Sequence, residues 1–435
     1  MFILSGALDL SNSYVQILAA SIILVLSHVF NIISNKTNVP SVLMLIATGI
    51  LIKLGLDVDA LSLMSSLKIL GTVGLIMIVL EAALDLHLTK KELPFIGKSL
   101  LIALLALLGS SFLIAYLLQI FLELQFLYAL LYAIPLSIMS SAIIIPSVSG
   151  LIKKTKEFMI YESTFSDILG IMFFYFIISF MEDGATNASL QFGGSFILTV
   201  IVAIVSSYII VYLFKDMKSL SKLFLLMAVL LILYTAGSLL GLAPLLIILI
   251  FGMALANHQV FFKIFKNDIE EHDPIEDIEK DFHLITLESA FLVRTFFFVI
   301  FGMTINLESL VDLDVFLYSM AIVASLYIIR FIVLKVFNLK SSISPELWIA
   351  PRGLITILLF FKIPLAFQVD NFDNGILLYV IIISSIIMTI ALILNKKNAS
   401  LAVDGAGALS VDVEQSNDSL DSSAVEAKEG DTKED

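Results

Sequence analysis

The apolar run FMIYESTFSDILGIMFFYFIISF, residues 158–180, places two carboxylates inside a segment long enough to cross a lipid bilayer. About 20 apolar residues in a helix span a hydrocarbon core of about 30 Å. Each of the two acids, Glu162 and Asp167, would cost roughly 2.5–3.5 kcal/mol at the bilayer centre on insertion scales. Acids retained at such a cost are expected to have a function or a buried partner.

The composition of the whole chain is typical of a membrane protein. Of its 435 residues, 59% are hydrophobic and 14% are charged, whereas soluble domains have about 25% charged residues. The chain has no cysteine, which excludes disulfide frameworks and thiolate metal sites. The formal net charge is −13, of which residues 401–435, with ten acidic and two basic residues, contribute −8. Residues 398–435 are therefore predicted to be a disordered acidic tail.

Apolar runs of about 17–25 residues recur along the chain, and we interpret them as transmembrane helices of an all-α polytopic membrane protein. The predicted spans, about 13, are 14–33, 40–56, 66–86, 97–120, 126–150, 158–181, 194–214, 221–238, 241–256, 284–305, 315–336, 345–362 and 374–395. The stretch GSLLGLAP divides 221–256 into two spans, and treating it as one would leave twelve.

Lysines collect in alternate loops and so predict an orientation. With the N-terminus outside, the inner loops include HLTKKE, KKTKE and KDMKSLSK, whereas the outer loops include EDGATNAS and NLESLVDLD. This positive-inside pattern predicts a cytoplasmic C-terminus in the cell (inner) membrane. The inner segment 257–283 mixes phenylalanine with both charges and is expected to form a short helix at the cytoplasmic interface.

The fifth predicted span is interrupted by proline and polar residues. It contains Pro135 and Pro146 on either side of the polar pair Ser140 and Ser141. Proline removes a backbone donor and clashes with the preceding turn, so the helix is expected to unwind here, with Pro146 at the break.

The twelfth predicted span is interrupted in the same way, by Pro351, Arg352 and Gly353. Spans five and twelve are separated by an odd number of crossings, so they run in opposite directions. Spans 4–6 and 11–13 are therefore predicted to be inverted repeats with crossed, discontinuous helices, the arrangement that places an ion site near the midplane.

The two acids of the opening run are expected to have different functions. Five helical residues give a rotation of about 500°, so Glu162 and Asp167 point about 140° apart. An isolated buried charge costs several kcal/mol. We therefore expect Glu162 to form a structural ion pair with Arg330, which lies in the eleventh span.

Asp167 is then the unpaired carboxylate. A protonated aspartate is neutral, and an ionised one with a bound Na⁺ is neutral as well, whereas an empty ionised one is charged. Proton and cation would therefore compete for one site, which is an electroneutral exchange of one cation for one proton. Ser163, Ser166, Ser140 and Ser141 are the candidate hydroxyl ligands, and Asp167 is the residue expected to bind Na⁺. No cofactor is predicted.

Other intramembrane charges are interpreted as structural. Glu81 and Asp85 lie four residues apart in the third span, and Glu288 and Arg294 lie in the tenth. We expect them to pair where these spans pack. The five histidines lack the spacing of metal ligands.

Several motifs resemble those of the monovalent cation:proton antiporters, the superfamily that includes the sodium/proton exchangers. The similar stretches cover residues 14–395 and comprise VPSVLMLIATGIL, LIMIVLEAALDL, YESTFSD, FFFVIFGMTINL and WIAPRGL. The resemblance implies that Asp167 carries the ion and the proton and that Glu162 pairs with Arg330. It also implies a homodimer in which a core domain moves like an elevator against a dimerisation domain.

The resemblance further implies a domain layout. The dimerisation domain would comprise residues 1–93 (spans 1–3) and, together with a linker span, residues 184–310 (spans 7–10). The core domain would comprise residues 94–183 (spans 4–6) and 311–397 (spans 11–13).

Two stretches depart from the exchanger pattern. The residue before the carrier aspartate is Asn in electroneutral members and Asp in electrogenic ones, whereas here it is Ser166. The stretch MSSAIIIPS is more similar to the branch that includes potassium/proton members. The expected substrates are therefore Na⁺ or Li⁺ and H⁺, with a K⁺/H⁺ antiporter or K⁺ efflux system as the alternative.

Two alternatives from other classes remain at this point. An intramembrane aspartyl protease needs two facing aspartates, and only Asp167 lies deep in a span. A non-transporting membrane scaffold would use the acidic tail as its interacting part.

Overall fold

The structure is a computed structural model. It describes residues 13–37, 39–55, 60–86, 93–214, 221–257, 259, 274–305, 308, 311–337, 343–369 and 371–395. In these ranges the regular structure is helical, without a strand. The helices are α1 (Ser13–Thr37), α2 (Ser41–Gly55), α3 (Ala60–Leu84), α4 (Leu93–Leu122), α5 (Phe126–Ser137), α6 (Ser141–Ser147), α7 (Lys153–Asp183), α8 (Ala185–Phe214), α9 (Ser221–Leu239), α10 (Pro244–Ala256), α11 (Pro274–Thr304), α12 (Leu313–Phe337), α13 (Leu354–Phe360) and α14 (Gly375–Asn395), with a 3₁₀ turn at Leu365–Phe367.

The helices follow the predicted spans. In the described part of the chain, 8 helical segments are long and apolar enough to cross a membrane, and four shorter apolar helices accompany them. Residues 221–256 form two helices, α9 and α10, as the interpretation with more spans predicts. The turn between them places Gly241 at φ 67°, a conformation that glycine adopts without a steric penalty. The chain is thus an all-helical polytopic membrane protein.

The outer faces of the bundle are apolar, as expected for helices in contact with lipid. Large hydrophobic side chains are exposed along α1, α8 and α12, for example Ile17, Ile22, Val25, Ile197, Ile201, Ile209, Ile328, Phe331 and Ile332. In water such a surface would be unstable, so these faces require a bilayer or another protein to cover them.

The helices pack in two groups. In the first group, α11 packs on α2 and α3, and α10 packs on α3, α8 and α9. The backbones of α2 and α11 cross closely, because a Cβ added at Gly49 would overlap the Val299 carbonyl and one at Gly302 would overlap the Ile46 carbonyl. In the second group, α4 packs on α5, α7 and α12, α6 packs on α7, and α13 packs on α5. We call these the α2–α11 group and the α4–α7 group. The predicted domain boundaries remain a prediction.

The structure differs from the predicted elements in two places. The segment before Pro351 forms a single turn, with Leu347 N bonded to Ile343 O (2.8 Å). Proline disfavours the helical conformation of the residue before it, so Pro345 and Pro351 limit the helix at both ends of this segment. At the cytoplasmic segment, α11 already begins at Pro274, so the last part of 257–283 continues the tenth span. Residues 258 and 260–273 and the acidic tail lie outside the described residues.

Candidate ion-binding site

The first break lies between α5 and α6. The chain is extended at Ile138 (φ −73°, ψ 130°) and at Ser140 (φ −91°, ψ 106°). The sequence placed the break at Pro146, but this residue lies inside α6. One proline removes one intrahelical hydrogen bond. Here the Arg294 side chain donates to the Ala142 carbonyl in place of the missing Pro146 amide, and the helix continues through Pro146. The break therefore lies nearer to the serine pair.

The second break crosses the first. The amide of Ser140 donates to the carbonyl of Pro351 at 2.9 Å, which joins the two extended segments directly. A Cβ added at Gly353 would lie 2.5 Å from the Ser140 Oγ. Glycine at 353 therefore permits the close approach of the two chains, and α13 begins at the next residue.

The carboxyl group of Asp167 reaches this crossing from α7. The side chain is buried, with 4% of its surface exposed. Its Oδ2 accepts a hydrogen bond from the amide of Ser141, the first residue of α6, at 3.3 Å. Its Oδ1 is buried and has no hydrogen-bond partner among the described residues. A carboxylate with a buried, unsatisfied oxygen is costly unless another ligand, such as a proton or a cation, occupies it.

The predicted serine ligands are arranged in different ways around Asp167. The Ser166 Oγ accepts from the amide of Met139 at 3.0 Å and so holds the first break against α7. The hydroxyl of Ser163 donates to the Ile160 carbonyl of its own helix at 3.2 Å. The hydroxyl of Ser141 is buried and makes no well-formed hydrogen bond to the described residues. Ser141 therefore has a buried hydroxyl at the residue whose amide contacts Asp167.

Glu162 and Arg330 form a bidentate ion pair in the interior of the α4–α7 group. The two Glu162 oxygens lie 2.6 and 2.9 Å from the Arg330 guanidinium nitrogens, and the residues are 0% and 3% exposed. Arg330 also donates to the carbonyls of Glu346 at 2.7 Å and Leu347 at 3.1 Å. These carbonyls belong to the turn before Pro351, which has no helical donors of its own for them. The pair thus fixes the second break to α7 and α12.

Arg352 binds the end of the first broken helix. Its guanidinium donates to the carbonyls of Leu136 (3.0 Å) and Ser137 (3.2 Å), the last residues of α5. These carbonyls have no intrahelical partner, because the helix ends there. The positive charge also lies at the negative end of the α5 dipole. The Arg352 amide donates to the Ser384 hydroxyl on α14 at 3.1 Å.

The sequence identified Arg352 only as part of the second break, from its position one residue after Pro351. No feature of the sequence identified Ser384 as a contact of this site.

A cavity extends along α7 from Glu182, near the end of that helix. Its volume is about 410 Å³, and it lies between α7, α9 and α10. Its lining follows α7 from Glu182 through Ser179 and Tyr175 to Ile168, the neighbour of Asp167. The polar side is completed by Tyr234 and Ser238 of α9. A space of this size holds several water molecules, and its described lining extends along α7 as far as Ile168 without including Asp167.

Three of the other charges singled out in the sequence, Glu81, Asp85 and Arg294, form a second polar cluster, whereas Glu288 lies exposed on α11. The Arg294 guanidinium lies 3.2 Å from the Glu81 carboxylate, and His283 Nε2 lies 3.2 Å from Asp85 Oδ1. Both contacts join α3 to α11. Arg294 also donates to the Ala142 carbonyl of α6 at 3.0 Å, a contact that the sequence did not predict.

Comparison with known proteins places this geometry in context. Residues 19–396 match the family described as "Sodium/hydrogen exchanger, transmembrane". No curated protein matches the chain. Two solved structures of the sodium proton antiporter MjNhaP1 from Methanocaldococcus jannaschii are similar in fold. The structure at pH 8 has a TM-score of 0.66 and 21% identity, covering 88% of this chain and 97% of that one. The electron-microscopy map has a TM-score of 0.62 and 18% identity, covering 90% and 97%.

Proposed function

The chain belongs to the sodium/hydrogen exchanger family, and from this premise we propose that it exchanges Na⁺ or Li⁺ for H⁺ with Asp167 as the shared carrier. Cation:proton antiport is the activity of the family. The observation that supports the carrier role is the buried Oδ1 of Asp167, which has no hydrogen-bond partner among the described residues. The next residue in the chain, Ile168, lines the cavity between α7, α9 and α10.

The surroundings of Asp167 suit a small monovalent cation. The carboxylate, the Ser141 hydroxyl and the backbone carbonyls of the extended segments are oxygen ligands, which hard cations prefer. In the empty, ionised state the buried charge accepts from the Ser141 amide on Oδ2, while Oδ1 has no partner among the described residues. A proton or a cation must therefore occupy the site before it crosses the membrane, and the two compete. This competition gives exchange of one for the other.

One carboxylate in the site favours an electroneutral cycle. The neighbouring position is Ser166, whose hydroxyl binds the Met139 amide. Glu162 is neutralised by Arg330 in the same helix group. The loaded α4–α7 group would then move as one body against the α2–α11 group, in the elevator-like way that the family resemblance implies.

The orientation and assembly follow from sequence and surface. The distribution of lysines among the loops supports a protein of the cell (inner) membrane with its C-terminus in the cytoplasm. In that orientation the end of the cavity at Glu182 faces the outside. The exposed apolar side of α1, with Tyr14 82% and Ile17 63% exposed, is available for lipid or for a second subunit. We propose a homodimer.

Exchange in reconstituted vesicles tests the carrier role. Asp167→Asn keeps the shape of the side chain and removes the exchangeable charge, so cation-driven dequenching of a pH dye should be abolished. Glu157→Gln is the matched control, because Glu157 lies on the same helix, is 32% exposed and pairs with Lys153 at 3.6 Å. Exchange by Asp167→Asn at the wild-type rate would contradict the proposal.

A K⁺/H⁺ antiporter is the second candidate, since the Ser140-Ser141 break resembles the branch that includes potassium members. The same vesicles, given Na⁺, Li⁺ or K⁺ at several pH values, separate the two. A larger response to K⁺ than to Na⁺ would assign the alternative.

A further inference from the structure

Pro146 leaves one backbone carbonyl of α6 without its helical partner. In an α-helix the carbonyl of residue 142 accepts from the amide of residue 146, but proline has no amide hydrogen. The Ala142 carbonyl accepts instead from Arg294 Nη1 at 3.0 Å. A side chain of α11 thus completes the first turn of a helix that belongs to the other packing group.

Glu81 holds Arg294 in position for this bond. Its two oxygens lie 3.2 and 3.5 Å from Arg294 Nη2, and both side chains are only 14% exposed. Nη2 of the guanidinium therefore binds α3, while Nη1 binds α6.

Arg294 differs from Arg330 and Arg352 in which helices its hydrogen bonds connect. Arg330 binds the carbonyls of Glu346 and Leu347, and Arg352 binds those of Leu136 and Ser137. In both cases the arginine and the carbonyls lie on the same side of the proposed moving boundary. The bond from Arg294 to Ala142 crosses that boundary. It therefore cannot persist unchanged when the α4–α7 group moves.

We propose that Arg294 is a positioning residue that holds α6 against α3 and α11 in the conformation seen here, and that its bond to Ala142 breaks in each transport cycle. The proposal rests on the proposed function, because it requires the α4–α7 group to move. Ala142 follows Ser141, whose amide contacts Asp167. Arg294 thus acts on the ion site through the backbone of α6, without touching the ion.

The bond from Arg294 to the Ala142 carbonyl stabilises the present conformation. In the opposite conformation the cavity between α7, α9 and α10 is closed, and the cytoplasmic side of the bundle is open. Hydrogen bonds to charged groups are strong enough to change a two-state equilibrium by about tenfold or more. Removal of the bond is therefore expected to raise the population of the opposite conformation about tenfold.

A single introduced cysteine reports this population, because the natural chain has none. Leu86 is a suitable site, since it is 0% exposed and packs against Tyr161 of α7 and Ile96 of α4, at the cytoplasmic side of the boundary. We expect a membrane-impermeant thiol reagent, applied to the cytoplasmic face without an ion gradient, to label Leu86→Cys slowly. The double substitution Glu81→Gln with Arg294→Gln, which leaves no unpaired charge, should raise the labelling rate about tenfold.

Lys153→Cys is the control for this labelling. The side chain of Lys153 is 87% exposed, so its labelling should not depend on residues 81 and 294. If a variant background has lost its fold, Leu86→Cys is labelled as fast as Lys153→Cys in that background. Comparing the two labelling rates therefore separates unfolding from a change in conformation.

Pro146→Ala tests the same bond without changing the ion pair. Alanine restores the amide, and the Ala142 carbonyl then has a partner in both conformations. Pro146→Ala should therefore raise Leu86→Cys labelling by itself and add little to the double glutamine variant, since both changes remove one interaction. Pro135→Ala, in α5, is the matched proline control, and its effect should multiply with that of the double variant.

The inference is overturned if labelling of Leu86→Cys is unchanged in the double variant, or if the effects of Pro146→Ala and the double variant multiply as independent changes. Failure of the proposed function would be seen elsewhere, as exchange that survives Asp167→Asn. The labelling requires no transport, so the two failures are distinguishable.

Discussion

Glu162 and Asp167 are two buried acids on one helix that differ in how many of their carboxylate oxygens have hydrogen-bond partners. Glu162 is 0% exposed and Asp167 is 4% exposed. Both oxygens of Glu162 bind the Arg330 guanidinium, whereas Asp167 has one amide donor on Oδ2 and no partner for Oδ1 among the described residues. Burial alone therefore does not identify a carrier. The unfilled hydrogen-bonding capacity of the Asp167 carboxylate is the feature that supports the proposed carrier role.

The difference has a simple physical origin. A buried carboxylate that is fully paired gains nothing from a cation, and it cannot take up a proton without leaving its basic partner unpaired. A buried carboxylate that is only partly paired is stabilised by whichever positive species reaches it. Substitutions at the two positions should therefore have opposite signatures, one in stability and the other in transport.

Glu162→Ala should have the largest effect on stability. It leaves the Arg330 charge buried without its partner, and breaking a buried pair in this way costs about 3–5 kcal/mol. Thermal unfolding in detergent should show a large loss for Glu162→Ala and little change for Asp167→Asn, with Glu157→Gln as the control. An Asp167→Asn variant that is destabilised as much as Glu162→Ala would remove the distinction between the two acids.

The next largest effect is expected at Arg352, which extends the comparison from acids to bases. Arg352→Gln removes a charged donor from the carbonyls of Leu136 and Ser137, and hydrogen bonds to charged groups contribute about 1.5–3 kcal/mol. Unfolding should be easier by about that amount, and the apparent affinity for the cation should fall because the first break is no longer fixed. Lys335→Gln, on the exposed face of α12, should change neither property. Intact stability in Arg352→Gln would show that α5 needs no cap.

The sequence predicted much of this arrangement because its signals are local. Run length located the spans, and proline with serine or glycine located the two interrupted segments. The angle between residues 162 and 167 separated the two acids, and the pairing of Glu162 with Arg330 has the geometry expected for it. These inferences need only helix periodicity and the cost of a buried charge.

The remaining features depend on which backbone groups meet in space. The sequence placed the first break at Pro146, because it could not show that Arg294, 148 positions later, replaces the missing donor at Ala142. It gave Ser163 and Ser166 similar status, although one hydroxyl bonds to its own helix and the other to the break. Tertiary hydrogen bonds of this kind leave no periodic signal.

Ser166→Asp would place a second carboxylate beside Asp167 and so sharpen the contrast between one acid and two. Two ionised groups would bind more than one positive charge per cycle, so transport should become sensitive to membrane potential. A valinomycin-imposed K⁺ gradient, with Na⁺ as the tested ion, should alter exchange by Ser166→Asp and leave the wild-type rate unchanged. A wild-type rate that responds to the potential would contradict the electroneutral cycle.

The smallest predicted effects distinguish Ser163 from Ser166, the two serines that lie between Glu162 and Asp167. Ser166→Ala removes the acceptor of the Met139 amide and leaves that buried donor unpaired, which costs about 1–3 kcal/mol. Because Met139 lies in the break that contacts Asp167, part of this cost should appear as a rise of roughly fivefold in the apparent KM for the cation. Ser163→Ala removes a donor to the Ile160 carbonyl, which is already in a helix, so KM should stay within about twofold. Initial exchange rates over a series of cation concentrations measure both values. If Ser163→Ala had the larger effect, the hydroxyl of Ser163 would have to leave its own helix and bind the ion, and the ligand set around Asp167 would change accordingly.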